Sequence, residues 1–105
     1  MNILLIENSS IQQSGLKQKI RSLGHQVTTC ANAKTALKSY QQRFYPLIIL
    51  DLESTNMDGM NFCRQIRSLE KRNRSLILVM QENNRMKDVE AAMTGGADDC
   101  LIKPV

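Results

Sequence analysis

Residues Leu47 to Met60 read LIILDLESTNMDGM. The run Leu47 to Leu50 is apolar at every position, not at every second one. Such a run predicts a strand buried on both faces, as in a parallel sheet. It stops on Asp51, a polar loop follows, and Asp58-Gly59 reads as the turn that starts the next helix. A buried strand that delivers a carboxylate at its tip raises the question of what that carboxylate does.

Two further apolar runs, Ile3 to Ile6 and Leu76 to Met80, resemble the first, and Gln26 to Cys30 and Cys100 to Ile102 are weaker versions. Helical spacing fills the segments between them. Leu16, Ile20 and Leu23 form one stripe, and Ala33, Ala36, Leu37 and Tyr40 a second, with Asn32 as its N-cap. Phe62, Ile66 and Leu69, with Cys63 alongside, form a third, and Met86, Val89 and Met93 a fourth. Gly24 and Gly95-Gly96 supply stops where positive φ is cheap. Pro46 sits just before the third strand, where its missing N–H does little harm. The order is βαβαβαβαβ, which predicts an open α/β sheet with helices on both faces. Right-handed crossovers favour the doubly wound, flavodoxin-like strand order 2-1-3-4-5. Ligands of such sheets lie at the carboxyl ends of the strands. Those ends carry Glu7-Asn8, Asp51, Gln81 and Lys103-Pro104.

The bulk numbers fit one soluble domain. The chain has 105 residues, 42% hydrophobic and 23% charged, ordinary values for a globular protein. Aromatics make up 4%, with no Trp, which argues against a base-stacking platform. The net charge is +4, and Arg64, Arg67, Lys71, Arg72 and Arg74 crowd one region. Without a base-reading motif they read as a solvated helix face with its loop, so no direct nucleic-acid binding is expected. Cys30, Cys63 and Cys100 are an odd count without C-x-x-C spacing. They read as reduced thiols of a cytoplasmic protein. Met1-Asn2 leads into only four apolar residues without a basic start, so no signal peptide is read. The apolar runs are too short to span a membrane. His25 reads as a solvated turn residue.

Asp51 at the centre of the crevice suits a nucleophile that forms an aspartyl-phosphate. Phosphoryl transfer needs mainly positioning and charge neutralisation. Mg²⁺ takes one or two carboxylates plus waters, and Glu7 and Asp51 could supply them. Lys103 could pair with a phosphoryl oxygen. A plain Lys103–Asp51 salt bridge is the alternative for that pair alone.

Taken together, NILLIEN, LIILDLESTNMDGM and GGADDCLIKP resemble the receiver domain of two-component response regulators over essentially the whole chain. The resemblance implies that Asp51 is the phospho-acceptor, taking phosphate from a histidine kinase or phosphotransfer protein. It implies a phosphate contact from Lys103, the acidic pair at Glu7 and Asn8, and a Mg²⁺ ligand in the backbone carbonyl of Glu53. It also implies a response passed to the chain's own output domain or a partner protein, since phosphorylation of receivers usually remodels the surface made by the family's fourth helix, fifth strand and fifth helix.

Four departures from the family pattern qualify this. Asn8 replaces the second acid, which removes one charge. A charge pair at ~4 Å and an effective dielectric near ~20 is worth up to ~4 kcal/mol before solvent losses, so weakened Mg²⁺ binding is expected. Gln81 stands where the family has Ser or Thr, and its NH₂ could still reach a phosphoryl oxygen. Cys100 stands where Tyr or Phe is usual, and reads as a packed thiol. The sequence stops at Val105, before the family's fifth helix, so residues 1–105 are expected to be a receiver domain truncated before its last helix.

Two readings stay open. In one, Asp51 is phosphorylated in a Mg²⁺-dependent way at reduced efficiency, with weakened Mg²⁺ binding and an altered switch. In the other, the domain is a phosphorylation-independent pseudo-receiver acting as a protein-interaction module. A third, remote reading takes DLEST as the D-x-D-x-T loop of haloacid-dehalogenase-like phosphatases, with Glu53 as general acid. The chain is too short for that fold and its cap, and the loop follows the wrong strand. No enzymatic activity is therefore expected, and the oligomeric state is not legible.

Overall fold

The computed structural model describes residues 1–55, 57–81 and 86–102, with the side chains of 10–13, 53 and 54 outside the description. The strands are β1 (Asn2–Ile6), β2 (Gln26–Cys30), β3 (Leu47–Asp51), β4 (Leu76–Gln81) and β5 (Asp99–Ile102). The helices are α1 (Ser10–Ser22), α2 (Ala33–Gln42), the single turn α3 (Leu52–Thr55), α4 (Gly59–Leu69) and α5 (Met86–Gly95). All strand pairs are parallel, in the order β2-β1-β3-β4-β5. This is the expected flavodoxin-like doubly wound sheet.

The sheet divides the core in two. Leu4, Ile6, Ile48, Leu50, Ile77 and Val79 point to one face, against Ala36 and Tyr40 of α2, Phe62 and Ile66 of α4, and Val89 and Ala92 of α5. Ile3, Leu5 and Ile49 point to the other, where Ile20 and Leu16 of α1 pack. Both faces are apolar, which is why the central strands lack the alternation of a half-exposed sheet. Toward β4 and β5 the second face is more open, with Leu76 47% and Leu101 46% exposed. Among the described residues no helix is long and apolar enough to cross a membrane.

The Asn32 cap is the one the sequence predicts, and Asp58 caps the helix that the Asp58-Gly59 turn starts. Asn32 accepts from Thr35 N at 2.9 Å, and Asp58 accepts from Asn61 N at 3.1 Å, so each fills an open donor of a first helical turn. Gly24 takes φ +90° after α1. Leu23 lies beyond the end of α1 and is 75% exposed, so it does not continue the Leu16–Ile20 stripe.

Two further expectations are corrected. The inward face of α5 is Val89, Ala92 and Gly95, while Met86 and Met93 are exposed. The cause is the close approach of α4 to α5. A Cβ on Gly59 would meet the Ala92 Cβ at 3.2 Å, and one on Gly95 would meet the Met60 Cα at 2.8 Å. Small residues therefore win the seam, and the methionines turn outward. Of the Gly95-Gly96 pair it is Gly96 that adopts positive φ, at +128°; Gly95 is the last residue of the helix, needed for its missing side chain.

The second correction concerns Arg67, which is not a solvated cation; Arg74 stays 59% exposed but is paired. The Arg67 side chain is only 17% exposed. It donates to Glu70 Oε2 at 2.6 Å, Asp98 Oδ2 at 2.7 Å, Ser75 O at 2.6 Å and Gly96 O at 2.8 Å. Arg74 pairs with the other Asp98 oxygen at 2.6 Å. Asp98 in turn accepts from Ile77 N at 2.8 Å. One guanidinium thus ties α4 to the residues that precede β4 and β5.

Candidate functional site

The strand register sets the level of each strand end. Ile6 pairs with Cys30 on one side and with Leu50 on the other. Glu7, one residue past Ile6, donates its N–H to Cys30 O at 2.9 Å and so prolongs the ladder. Asp51, one residue past Leu50, pairs with Met80 of β4. Gln81 follows Met80 and pairs with Ile102 of β5. Glu7, Asp51 and Gln81 therefore stand side by side along the carboxyl edge of three adjacent strands.

All three are buried. Asp51 is 0% exposed, and Glu7 and Gln81 are each 1% exposed. Burying a carboxylate among leucines is costly without compensating partners. Glu7 Oε1 accepts from Ser9 N at 3.0 Å. Asn8, by contrast, is exposed. Of the expected Glu7–Asn8 pair, the acid is thus buried and the second residue exposed.

The residues after Asp51 are not a simple loop. They form the helical turn α3, and Thr55 Oγ1 donates to Asp51 O at 2.6 Å. Leu52 is 1% exposed and reaches the space where a Gly59 side chain would stand. A buried leucine on one side and a hydroxyl bond on the other fix the turn that follows Asp51. The sequence signal for this tether is Thr at four positions after Asp, a spacing at which a helical hydroxyl meets a carbonyl. Glu53 lies within the same turn, two positions after Asp51. Lys103, with Pro104 and Val105, lies outside the described residues. Cys100 pairs with Val79, is half-buried and packs against the larger core cluster. It is a packing residue, not part of the edge that carries Asp51.

The donor set is chemically suited to a hard cation. Carboxylate oxygens of Glu7 and Asp51, with a backbone carbonyl from the α3 turn, are the oxygen ligands that Mg²⁺ takes together with waters. No group of three or more His, Cys, Asp or Glu suited to a metal occurs among the described residues. Two carboxylates is the number that a Mg²⁺ site completed by water and phosphoryl oxygens typically uses.

Comparison with known proteins agrees with this geometry. The family model of the response regulator receiver domain matches residues 3–105. The transcriptional regulatory protein AfsQ1 of Streptomyces coelicolor is 33% identical over 104 residues, covering 99% of this chain and 45% of AfsQ1. The chain spans less than half the length of the curated relatives it matches. Among solved structures, the receiver domain of the sensor histidine kinase PA1611 from Pseudomonas aeruginosa superposes with a TM-score of 0.85. It is 32% identical and covers 99% of this chain and 85% of that one. That structure has a magnesium ion coordinated in its active site cleft. A two-component response regulator from Clostridium difficile gives a TM-score of 0.86 at 27% identity, covering 100% of this chain and 84% of the other.

Proposed function

The chain belongs to the response regulator receiver domain family, the signalling module of two-component phosphorelays, and from that premise we propose that Asp51 is its phospho-acceptor. The observation that carries this reading is the Asp51 carboxylate, wholly buried at the tip of the central strand between Glu7 and Gln81. A phosphohistidine of a histidine kinase or phosphotransfer protein supplies the phosphoryl group. A bond forms between an Asp51 oxygen and phosphorus as the bond to the imidazole nitrogen breaks, and the imidazole keeps that electron pair. The reaction is a group transfer to this chain itself, so the domain works as a switch, not as a classical enzyme. Its output is a domain or partner protein that senses the new charge at the strand edge.

Glu7, Asp51 and the Glu53 carbonyl would hold Mg²⁺, which supplies neutralisation of the carboxylate and phosphoryl charges when bound. With Asn8 neutral and exposed, the cation is held more weakly than by two acids. Glu7, held through Cys30 O and Ser9 N, stands on the strand next to Asp51 and supplies the remaining charge of the acidic pair. Gln81, at the end of β4, carries an amide whose NH₂ can donate to a phosphoryl oxygen. Lys103 is the proposed counter-charge to that oxygen.

The deep burial of the bulky Gln81 side chain also supports a second reading. A side chain already filling the strand edge has less room to move than a hydroxyl, which suits a module that signals without phosphate. Beryllofluoride with Mg²⁺, a phosphoryl mimic, separates the two. The first reading expects amide shifts centred on Asp51, Glu7 and Gln81 that are lost in Asp51→Asn. Unmoved resonances at millimolar Mg²⁺ would leave the second.

A further inference from the structure

At the opposite edge of the sheet, a cleft of about 550 Å³ opens between the end of α2 and the end of α4. Its size is that of ligand and anchor pockets in general. A shallower hollow of about 300 Å³ continues it along the two helices, sharing Gln41 and Leu69 with it. The apolar part comes from Tyr40, Phe44 and Leu69. The Tyr40 ring is held rigidly. Its hydroxyl meets Ser75 Oγ at 2.7 Å, and its ring stacks on Tyr45 with centroids 6.5 Å apart. Phe44, tilted against Tyr40, remains 39% exposed on the rim.

The charge around this cleft has one sign. Arg43, Lys71 and Arg72 line it and are exposed. The single acid on the lining, Glu70, is held by Arg67 at 2.6 Å. The sequence has no acid from 31 to 50, and Glu70 is the only one from 59 to 73. Exposed Lys34 and Lys38 flank the hollow on α2, one helical turn from Leu37 and Gln41, and exposed Arg64 stands one turn from Ser68 on α4. Cations near a helix C-terminus also offset its dipole, a role that one side chain per helix would fill. Six of them around an aromatic floor exceed it.

We infer that this groove is a docking site for an acidic segment of a partner protein, anchored by one aromatic or branched apolar side chain between Phe44, Tyr40 and Leu69. The anchor fills a rigid pocket, as binding hot spots do. The surrounding cations select acidic partners and speed their encounter. The site lies at the far edge of the sheet from Asp51, so it offers contact with a partner that leaves the phosphorylation edge uncovered.

The test uses the isotope-labelled chain and a short peptide of glutamates around one Phe. Binding is expected to shift the amides of Arg43, Phe44 and the segment 69–73, and to weaken as salt rises. Lys71→Glu with Arg72→Glu is expected to weaken it by about tenfold or more, and Phe44→Ala to weaken it independently. All these residues are exposed, so the variants keep the fold. Lys19→Glu, an equal charge change per residue on α1, is expected to leave binding unchanged. Three results would overturn the inference: equal loss in Lys19→Glu, equal binding by a glutamate peptide lacking Phe, or absence of saturable shifts in the cleft. Binding of a single-stranded oligonucleotide to these residues, with none of the peptide, would overturn it in favour of nucleic acid.

Discussion

Asp51, Glu7 and Gln81 are as deeply buried as the leucines beside them, and their positions were legible because each ends an uninterrupted apolar run. Arg67 was not legible. In the sequence it is one cation among five in a basic segment, and nothing local marks it. Two of its partners, Gly96 and Asp98, lie 29 and 31 positions away, so only the fold brings them together. Its planar fork donates to two carboxylates and two carbonyls at once, a task that a lysine ammonium does not reproduce. Arg67→Ala leaves Asp98 and Glu70 poorly neutralised and uncovers the carbonyls of Ser75 and Gly96. Discounted for partial exposure, the expected loss is about 2–4 kcal/mol, read as a lowered urea midpoint. Arg67→Lys is expected to recover less than half of it. Cys63 is the bland counterpart: burial pushes its thiol up to about 11, in keeping with a packing residue.

At the scale of elements, the strands and the caps at Asn32 and Asp58 follow from local chemistry. The orientation of α5 does not. A stripe of Met86, Val89 and Met93 is the more hydrophobic face, but the α4–α5 approach leaves room only for Val89, Ala92 and Gly95. Volume decided where hydrophobicity would have pointed elsewhere. Two glycine substitutions separate these effects. Gly95→Ala drives a methyl into the Met60 backbone and is expected to cost about 1–3 kcal/mol or more. Gly15→Ala, within α1 and with nothing inside 4 Å of the new Cβ, is expected to stabilise by about 0.5–1 kcal/mol. Equal thermal shifts in the two variants would contradict the seam. The α3 turn differs from both: DLEST reads as a loop, although the Asp51–Thr55 spacing is a local signal for the bond from the Thr55 hydroxyl to the Asp51 carbonyl.

Across the whole molecule the sheet has two working edges. Its carboxyl edge gathers Glu7, Asp51 and Gln81, and its amino edge is clamped by the Arg67–Asp98–Arg74 cluster beside the cationic groove. Burial raises the Asp98 pKa, but the Ile77 N–H and the Arg74 and Arg67 guanidiniums outweigh it and hold the carboxyl below its ordinary value. A carboxyl lowered in the folded state stabilises the fold above its unfolded value of about 3.9. That contribution is lost as pH falls through the folded value. Stability measured from neutral pH down into this acid range should therefore fall less steeply in Asp98→Asn than in the unaltered chain; parallel curves would remove Asp98 as a contributor. The strand order was readable from the alternation of strand and helix signals and the handedness of crossovers. The α5 face and the Arg67 clamp depend on packing distances that no local pattern encodes. The central claim remains the chemistry at Asp51, and the intact mass of the chain after incubation with Mg²⁺ and acetyl phosphate tests it most directly. A gain of one phosphoryl group, absent in Asp51→Asn, is the predicted result; an unchanged mass of the folded chain at saturating Mg²⁺ and phosphodonor would contradict it.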